Sequence, residues 1–335
     1  MAAPEARPPD PEAAAAETAA RVIRPVFVVG TMRSGTTLLA ELLGRSPHLA
    51  HCGFELKDLW SGKAGVSMAS PKTRDLTCPE CDAARLRPGM AQALSSAFRE
   101  RMAACEGKAC GAVLLNKNPH LCNKLPLVDA MFPDARFIWI HRQLPQVVAS
   151  LKRLFVDVHR RQATWHWWPQ PDAQVRARCW NTAFAEKPPA GVPPERVFPG
   201  GDVRFLAEYW LESNLAVKRF FAELPSVRRT AVQEEKLLVA ADAELARIHA
   251  WLEVPAPADP VAAGELDGTR NSRWQGDLDA DESASLDGFV KAYGSVIASI
   301  KDIYLLNRSD GADTVVENDA TSGNTDVARF GIDGR

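Results

Sequence analysis

An α/β fold built on a parallel sheet flanked by helices is predicted by three observations. Short β-rich apolar runs alternate with helical patterns along most of the chain. The first of these runs enters a glycine-bounded turn at residues 30–35. Cation-bearing residues then follow the ends of three successive segments, at Arg33, Lys117 and Arg142. Alternating strand and helix patterns of this kind specify a sheet covered by helices on its faces.

Taken in order, Val26–Val29 is expected as a strand leading into a helix at 36–43. A strand at 112–116 leads to a helix near 121–131. Arg136–His141 (R-F-I-W-I-H) leads to a helix at 146–154, and a strand at 229–233 precedes a helix at 241–252. Residues 60–110 and 155–205 interrupt this rhythm. The second interruption carries Trp165-His166-Trp167-Trp168, Trp180 and a Pro-rich stretch at 188–199. Such a Trp/Pro-rich insertion either covers the core or forms a wall for an acceptor substrate. Residues 1–22 are low-complexity Ala/Pro, and 307–335 are rich in Asp, Asn, Gly, Ser and Thr. Both are expected to be disordered tails around one α/β domain at 23–306.

With 335 residues and a hydrophobic fraction of 46%, the chain can bury a sizeable core. Its formal net charge of −2 gives no bulk attraction to nucleic acid or acidic membrane, so an anion site must be built locally. The first 20 residues lack a basic start and apolar core, and the run at 26–29 is too short to span a bilayer. A soluble cytoplasmic protein without a transmembrane segment or nucleic-acid partner is therefore expected. Seven cysteines, an odd count in a chain too long to need staples, suit a reducing compartment. Cys78 and Cys81 (C-P-E-C), with Cys105 and Cys110, leave three readings open: scattered thiols, a structural zinc site or a disulfide.

The chemistry starts at Val26–Thr37. An apolar strand enters a turn and then a helix, which aims backbone N–H groups at one point where the helix dipole also favours an anion. Gly30 and Gly35 keep the spacing of a nucleotide-triphosphate P-loop, but Thr36 stands where its Lys should be. Arg33 inside the turn offers a different cation. This P-loop-like turn is thus expected to hold an anion other than a triphosphate tail. Lys117 and Arg142 follow the next strands, at the carboxyl edge where open α/β sheets bind ligands. Arg142 at a helix entrance with Ser150 inside that helix can chelate a second phosphate.

These segments resemble the sulfotransferases that use 3′-phosphoadenosine 5′-phosphosulfate (PAPS). The likeness rests on V-V-G-T-M-R-S-G-T-T-L-L at 28–39 and F-P-D-A-R-F-I-W-I-H-R-Q-L-P-Q-V-V-A-S-L at 132–151, and extends over roughly 25–300. It implies that Arg33, Ser34, Gly35, Thr36 and Thr37 grip the 5′-phosphosulfate, and that Arg142 and Ser150 grip the 3′-phosphate. H-C-G-F-E at 51–55 and L-L-N-K-N-P at 114–119 look like the tyrosylprotein sulfotransferase branch. That branch implies Glu55 as general base and Lys117 as stabiliser of the transferring group, although Phe54 replaces an acid usually beside the base. Gln233-Glu234-Glu235-Lys236-Leu237 looks like a family element whose Tyr is replaced by Gln233. Asn271-Ser272-Arg273-Trp274 resembles the segment that closes over the nucleotide, which puts Ser272 among the donor-binding residues.

Moving SO₃ to a hydroxyl is an in-line displacement related to phosphoryl transfer. The sulfuryl group carries less charge, so cations such as Lys117 and Arg33 can suffice and no metal is required. A positioned base must take the acceptor proton. Glu55 is the first candidate and His120, three residues past Lys117, is the alternative. The acceptor is expected to be a hydroxyl on a small molecule, sugar, lipid or peptide. Two rivals remain: an inactive nucleotide-binding module, and a P-loop kinase or NTPase. For the latter, Leu237–Asp242 would be a strand ending in a magnesium ligand, although 240–247 has the composition of a helix start.

Overall fold

The computed structural model describes residues 23–68, 83–161, 202–262 and 264–301. Both expected tails, the Trp/Pro-rich stretch at 162–201 and the Cys78–Cys81 pair lie outside these residues. The elements are β1 (Val26–Val29), α1 (Thr36–Leu43), β2 (Leu49–Ala50), α2 (Lys57–Ala64), α3 (Met90–Ala103), β3 (Val113–Lys117) and α4 (Leu125–Met131). They continue with β4 (Arg136–His141), α5 (Leu144–Arg160), α6 (Val203–Glu223), β5 (Arg229–Gln233), α7 (Glu234–Val239), α8 (Ala241–Leu252) and α9 (Ala280–Lys301).

The five strands form one parallel sheet in the order β2-β3-β1-β4-β5. The expected α/β class is therefore observed. Every residue of β1 is buried, because helices cover both faces of a parallel sheet. The strand period sorts its side chains. Phe27 and Val29 enter one core with Trp60, Phe98, Phe132 and Trp210, whereas Val26 and Val28 enter a second with Leu39, Leu42, Ile138 and Ile248. Phe27 anchors the first core through tilted ring contacts with Trp60, Phe132 and Phe137, at centroid separations of 5.8, 5.7 and 5.6 Å.

The topology positions the site. After β1 the chain turns toward the β2 side of the sheet, and after β4 it turns toward β5. The carboxyl ends of β1 and β4 therefore border the crevice where open α/β sheets bind ligands. The interruption at 60–110 contains most of α2 and all of α3, and α6 begins within the second one. Leu237–Asp242 is not a strand: Leu237–Val239 ends α7, Ala240 breaks the helix and α8 begins at Ala241. Asp242 sits in the first turn of α8, where its carboxylate accepts a hydrogen bond from the Val261 amide at 2.9 Å. No helix among the described residues is long and apolar enough to cross a membrane.

Gly30 is where β1 meets the crevice. It has φ +157°, and a Cβ there would lie 2.3 Å from the Ile140 carbonyl oxygen. Any side chain must therefore push β1 and β4 apart. Gly30→Ala is expected to cost about 2 kcal/mol or more. It should lower the melting temperature by about 4–8 °C in calorimetry; an unchanged midpoint would show that the sheet absorbs the methyl group.

Candidate active site

The 30–35 turn is closed by its backbone geometry and by a pair of its own hydroxyls. Ser34 N–H donates to the Thr31 carbonyl at 3.1 Å, and the two hydroxyls share a buried hydrogen bond. Ser34 is consequently turned inward. Arg33 has φ +68° and Gly35 φ +87°, so two left-handed residues reverse the chain before α1 begins at Thr36. The Met32 amide donates to the buried Tyr209 hydroxyl at 3.1 Å, which ties the turn to α6.

Gly35 also meets a neighbour sequence reasoning left without a role. A Cβ there would lie 2.7 Å from Glu234 Cγ, at the start of α7. Glu234 is buried and pairs with Arg142 Nε at 3.2 Å. The same Nε donates to Gln146 Oε1 at 2.9 Å, and an Arg142 terminal nitrogen donates to the Arg33 carbonyl at 3.2 Å. Arg142 therefore braces the turn from below. Arg33, in contrast, is exposed and donates from its Nε to Ser150 Oγ at 3.0 Å. Arg33 thus joins the two predicted phosphate-binding segments, through its side chain to Ser150 and its carbonyl to Arg142.

Glu55 and Lys117 are brought together from 62 positions apart. Lys117 ends β3 with its side chain 1% exposed, and its Nζ donates to Glu55 Oε1 at 2.9 Å; the carboxylate is 6% exposed. The other oxygen, Oε2, lies 2.8 Å from Lys57 Nζ and 3.6 Å from His120 Nε2. The end of β3 clamps this loop. Asn116 and Asn118 donate to the Glu55 carbonyl at 3.4 and 3.2 Å, and Asn116 Oδ1 accepts from Trp60 Nε1 at 3.0 Å. Burial holds the Lys117 ammonium below the ordinary lysine value of 10.5, an effect that the adjacent Glu55 carboxylate only partly offsets. Phe54, 62% exposed, lays its ring 3.5 Å from the same ammonium.

These groups line a cleft of about 880 Å³ that contains Arg33, Thr36, Thr37, Glu55, Lys57, Lys117 and His120. Apolar Met32, Phe54, Val66, Met68 and Leu154 make up much of its remaining wall. A second cleft of about 610 Å³ shares Arg33 and Leu154 and adds Ser150, Lys152, Arg153 and Arg160. Of the predicted residues, Arg33, Thr36, Thr37, Glu55, Lys117 and His120 share the first cleft, and Arg33 and Ser150 the second. Ser34 and Gly35, within the turn, and Arg142, which braces it, line neither cleft. Ser272 lines neither cleft; its hydroxyl donates to the Thr269 carbonyl at 3.2 Å between two short 3₁₀ turns. Lys57, Tyr209, Gln146 and Glu234 were not anticipated in these positions. Of the four, only the Glu234-Glu235 pair after a strand carried a sequence signal.

Cys105 and Cys110 are free thiols. Cys105 makes a side-chain hydrogen bond with Cys52, whose thiol is pushed up to about 12 by burial first and by this neighbour second. Among the described residues, no group of His, Cys, Asp and Glu is placed to hold a metal ion.

Comparison with known proteins gives the frame for this geometry. A family model described as the sulfotransferase family matches residues 25–205. A sulfotransferase from Alicyclobacillus acidocaldarius is similar in structure at 14% identity, with 85% of this chain and 97% of that chain covered and a TM-score of 0.50. A sulfotransferase from Mycobacterium avium aligns at 15% identity over 86% of this chain and 79% of that chain, with a TM-score of 0.46. No curated protein matches the chain in sequence.

Proposed function

Because the chain belongs to the sulfotransferase family, we propose that it transfers a sulfuryl group from PAPS to a hydroxyl acceptor. The carrying observation is that a carboxylate and an ammonium from distant segments, Glu55 and Lys117, face the same cleft as the anion-binding turn. The residues present suit the donor. Thr36 and Thr37 open α1 at the positive end of its dipole, and Arg33 stands between the two clefts. In this reading Arg33 and the turn hold the phosphosulfate, and Ser150 with Arg33 receives the 3′-phosphate. Arg142 acts through the turn it braces, and Ser272 is reserved for closure over the nucleotide.

Glu55 accepts the acceptor proton as the hydroxyl oxygen attacks sulfur, and the bond from sulfur to the bridging oxygen breaks. Lys117 and Arg33 stabilise the negative charge that collects on that oxygen and on the leaving phosphate. His120 lines the same cleft with Nε2 3.6 Å from Glu55 Oε2, and we take Glu55 as the base because its carboxylate contacts Lys117 directly. The likeness of 51–55 and 114–119 to the tyrosylprotein branch supports these two roles without specifying an acceptor.

The reading is tested by sulfate transfer from labelled PAPS to a panel of alcohols, phenols, sugars and peptides, followed by mass spectrometry. Wild-type protein should sulfate at least one class, and Glu55→Gln should lower kcat by about 10²–10⁴-fold. Full activity in Glu55→Gln would remove it as the base. The NTPase and inactive-module rivals are separated by ligand-induced thermal stabilisation. 3′-Phosphoadenosine 5′-phosphate should raise the melting temperature and ATP with magnesium should not; the opposite order would overturn the assignment. An inactive module would bind this ligand without turnover of any acceptor.

A pH dependence follows from Lys117. Its active form is protonated, and burial lowers its pKa, so activity should fall on the alkaline side at a pH below 10.5. Lys117→Arg keeps the charge throughout this range. Although its altered shape should reduce kcat, the alkaline limb in kcat/KM should move upward or vanish. An identical limb in the variant would assign it to another group.

A further inference from the structure

We propose that Lys57 is a positioning residue for the reaction, holding the Glu55 carboxylate by its second oxygen so that Lys117 is available to the donor. The inference rests on the sulfotransferase reading and deepens it. Glu55 is shared between two ammonium groups, one on each oxygen: Lys117 Nζ at 2.9 Å from Oε1 and Lys57 Nζ at 2.8 Å from Oε2. With Lys117 alone, the buried pair would be neutral and an incoming anion would have to separate it. With Lys57 present, the three charges leave one surplus cation facing the cleft. An anion can then draw on Lys117 while the carboxylate stays fixed by its other oxygen. His120 Nε2, at 3.6 Å, is too distant to replace that hold.

The local backbone runs against ordinary preference to create this contact. Leu56 adopts φ +51° and ψ +35°, a left-handed conformation uncommon for a residue with a branched side chain, and it has no capping side chain for the helix that follows. Lys57 is the first residue of α2, where the helix dipole disfavours a cation. The left-handed turn folds the chain so that Glu55 and Lys57, two positions apart, meet at the same cleft. Strain of this kind persists where the surroundings over-determine it, as functional sites do. The charges around Lys117 are Glu55 and Lys57, with Glu41 of α1 and the imidazole of His51 further out, and Lys57 is among the groups that lower its pKa.

The experiment compares wild-type protein with Lys57→Gln and Lys57→Arg in steady-state sulfate transfer, using PAPS and the best acceptor from the panel. Lys57→Gln should lower kcat by about 10- to 100-fold. Its acceptor KM should change by less than about threefold and its alkaline limb should move to higher pH, as expected for selective loss of transition-state stabilisation and of a neighbouring cation. Lys57→Arg should recover most of the lost kcat. Retention of kcat within about twofold in Lys57→Gln would overturn the inference. So would equal impairment of both variants, or a loss confined to acceptor KM. The Lys57 side chain is 25% exposed, and the melting temperatures of both variants serve as a folding check. Failure of the wild-type protein to transfer sulfate would overturn the underlying reading and this inference together, whereas wild-type turnover with an unimpaired Lys57→Gln would overturn the inference alone.

Discussion

The buried ion pair between Glu55 and Lys117 is the constraint on which the rest of the site depends. Taking a carboxylate and an ammonium out of water costs several kcal/mol per ion, and the mutual attraction repays this only when geometry and further hydrogen bonds are good. The surroundings are arranged accordingly. Asn116 and Asn118 fix the Glu55 backbone from both sides of Lys117, and Trp60 fixes Asn116 in turn. The first turn of α2 brings Lys57 to the remaining oxygen. The aromatic core of Phe27, Trp60, Phe98 and Phe132 lies beneath this network, so packing and polar positioning meet at one residue, Trp60.

A second buried pair performs the equivalent task for the turn. Arg142 and Glu234 are both nearly inaccessible, and Gln146 shares the guanidinium. Through the Arg33 carbonyl and the close contact beneath Gly35, this pair sets the height of the turn above β4. The α7 acid next to Glu234 extends the brace, since Glu235 accepts from the Gln143 amide at 2.9 Å. A cation expected at the ligand surface is thus engaged in shaping the loop. The exposed cation of the turn is Arg33, which the same brace holds in a left-handed conformation.

Much of this was legible in the sequence because strands carry a strong local signal. β4 and β5 span the expected residues, for their aromatic and β-branched runs are bounded by turn residues and buried on both faces. β3 ends at Lys117, one residue later than expected, because its ladder with β1 continues through Val28. Not every missed element has a weak pattern, since α6 buries a long amphipathic face but starts inside the Trp/Pro-rich interruption. α2, K-D-L-W-S-G-K-A, buries only Leu59, Trp60 and Ala64 and begins from a left-handed leucine, so no periodicity announces it. Site residues that follow strand ends were visible for the same reason as the strands. Glu234, directly after β5, carried such a mark, but its pairing with Arg142 did not; Lys57 and Tyr209 carried none, because their positions depend on one unusual backbone angle or on long-range packing.

The two clefts meeting at Arg33 explain why the donor can be argued further than the acceptor. On one side, Ser150, Lys152, Arg153 and Arg160 gather along α5 beside the turn, with Lys152 paired to Glu282 and Arg153 to Asp277. Anion recognition draws on a small vocabulary of cations, hydroxyls and helix ends, and each leaves a mark in sequence at a predictable distance from a strand. On the other side, Met32, Phe54, Val66, Met68 and Leu154 offer contact area without direction. Apolar walls select by shape, and shape is a property of the assembled surface rather than of any residue. The Glu55 cluster lies between these regimes. In the proposed sulfuryl transfer it directs where a hydroxyl arrives and where charge collects, and the apolar wall around it is the surface that would select the molecule carrying that hydroxyl.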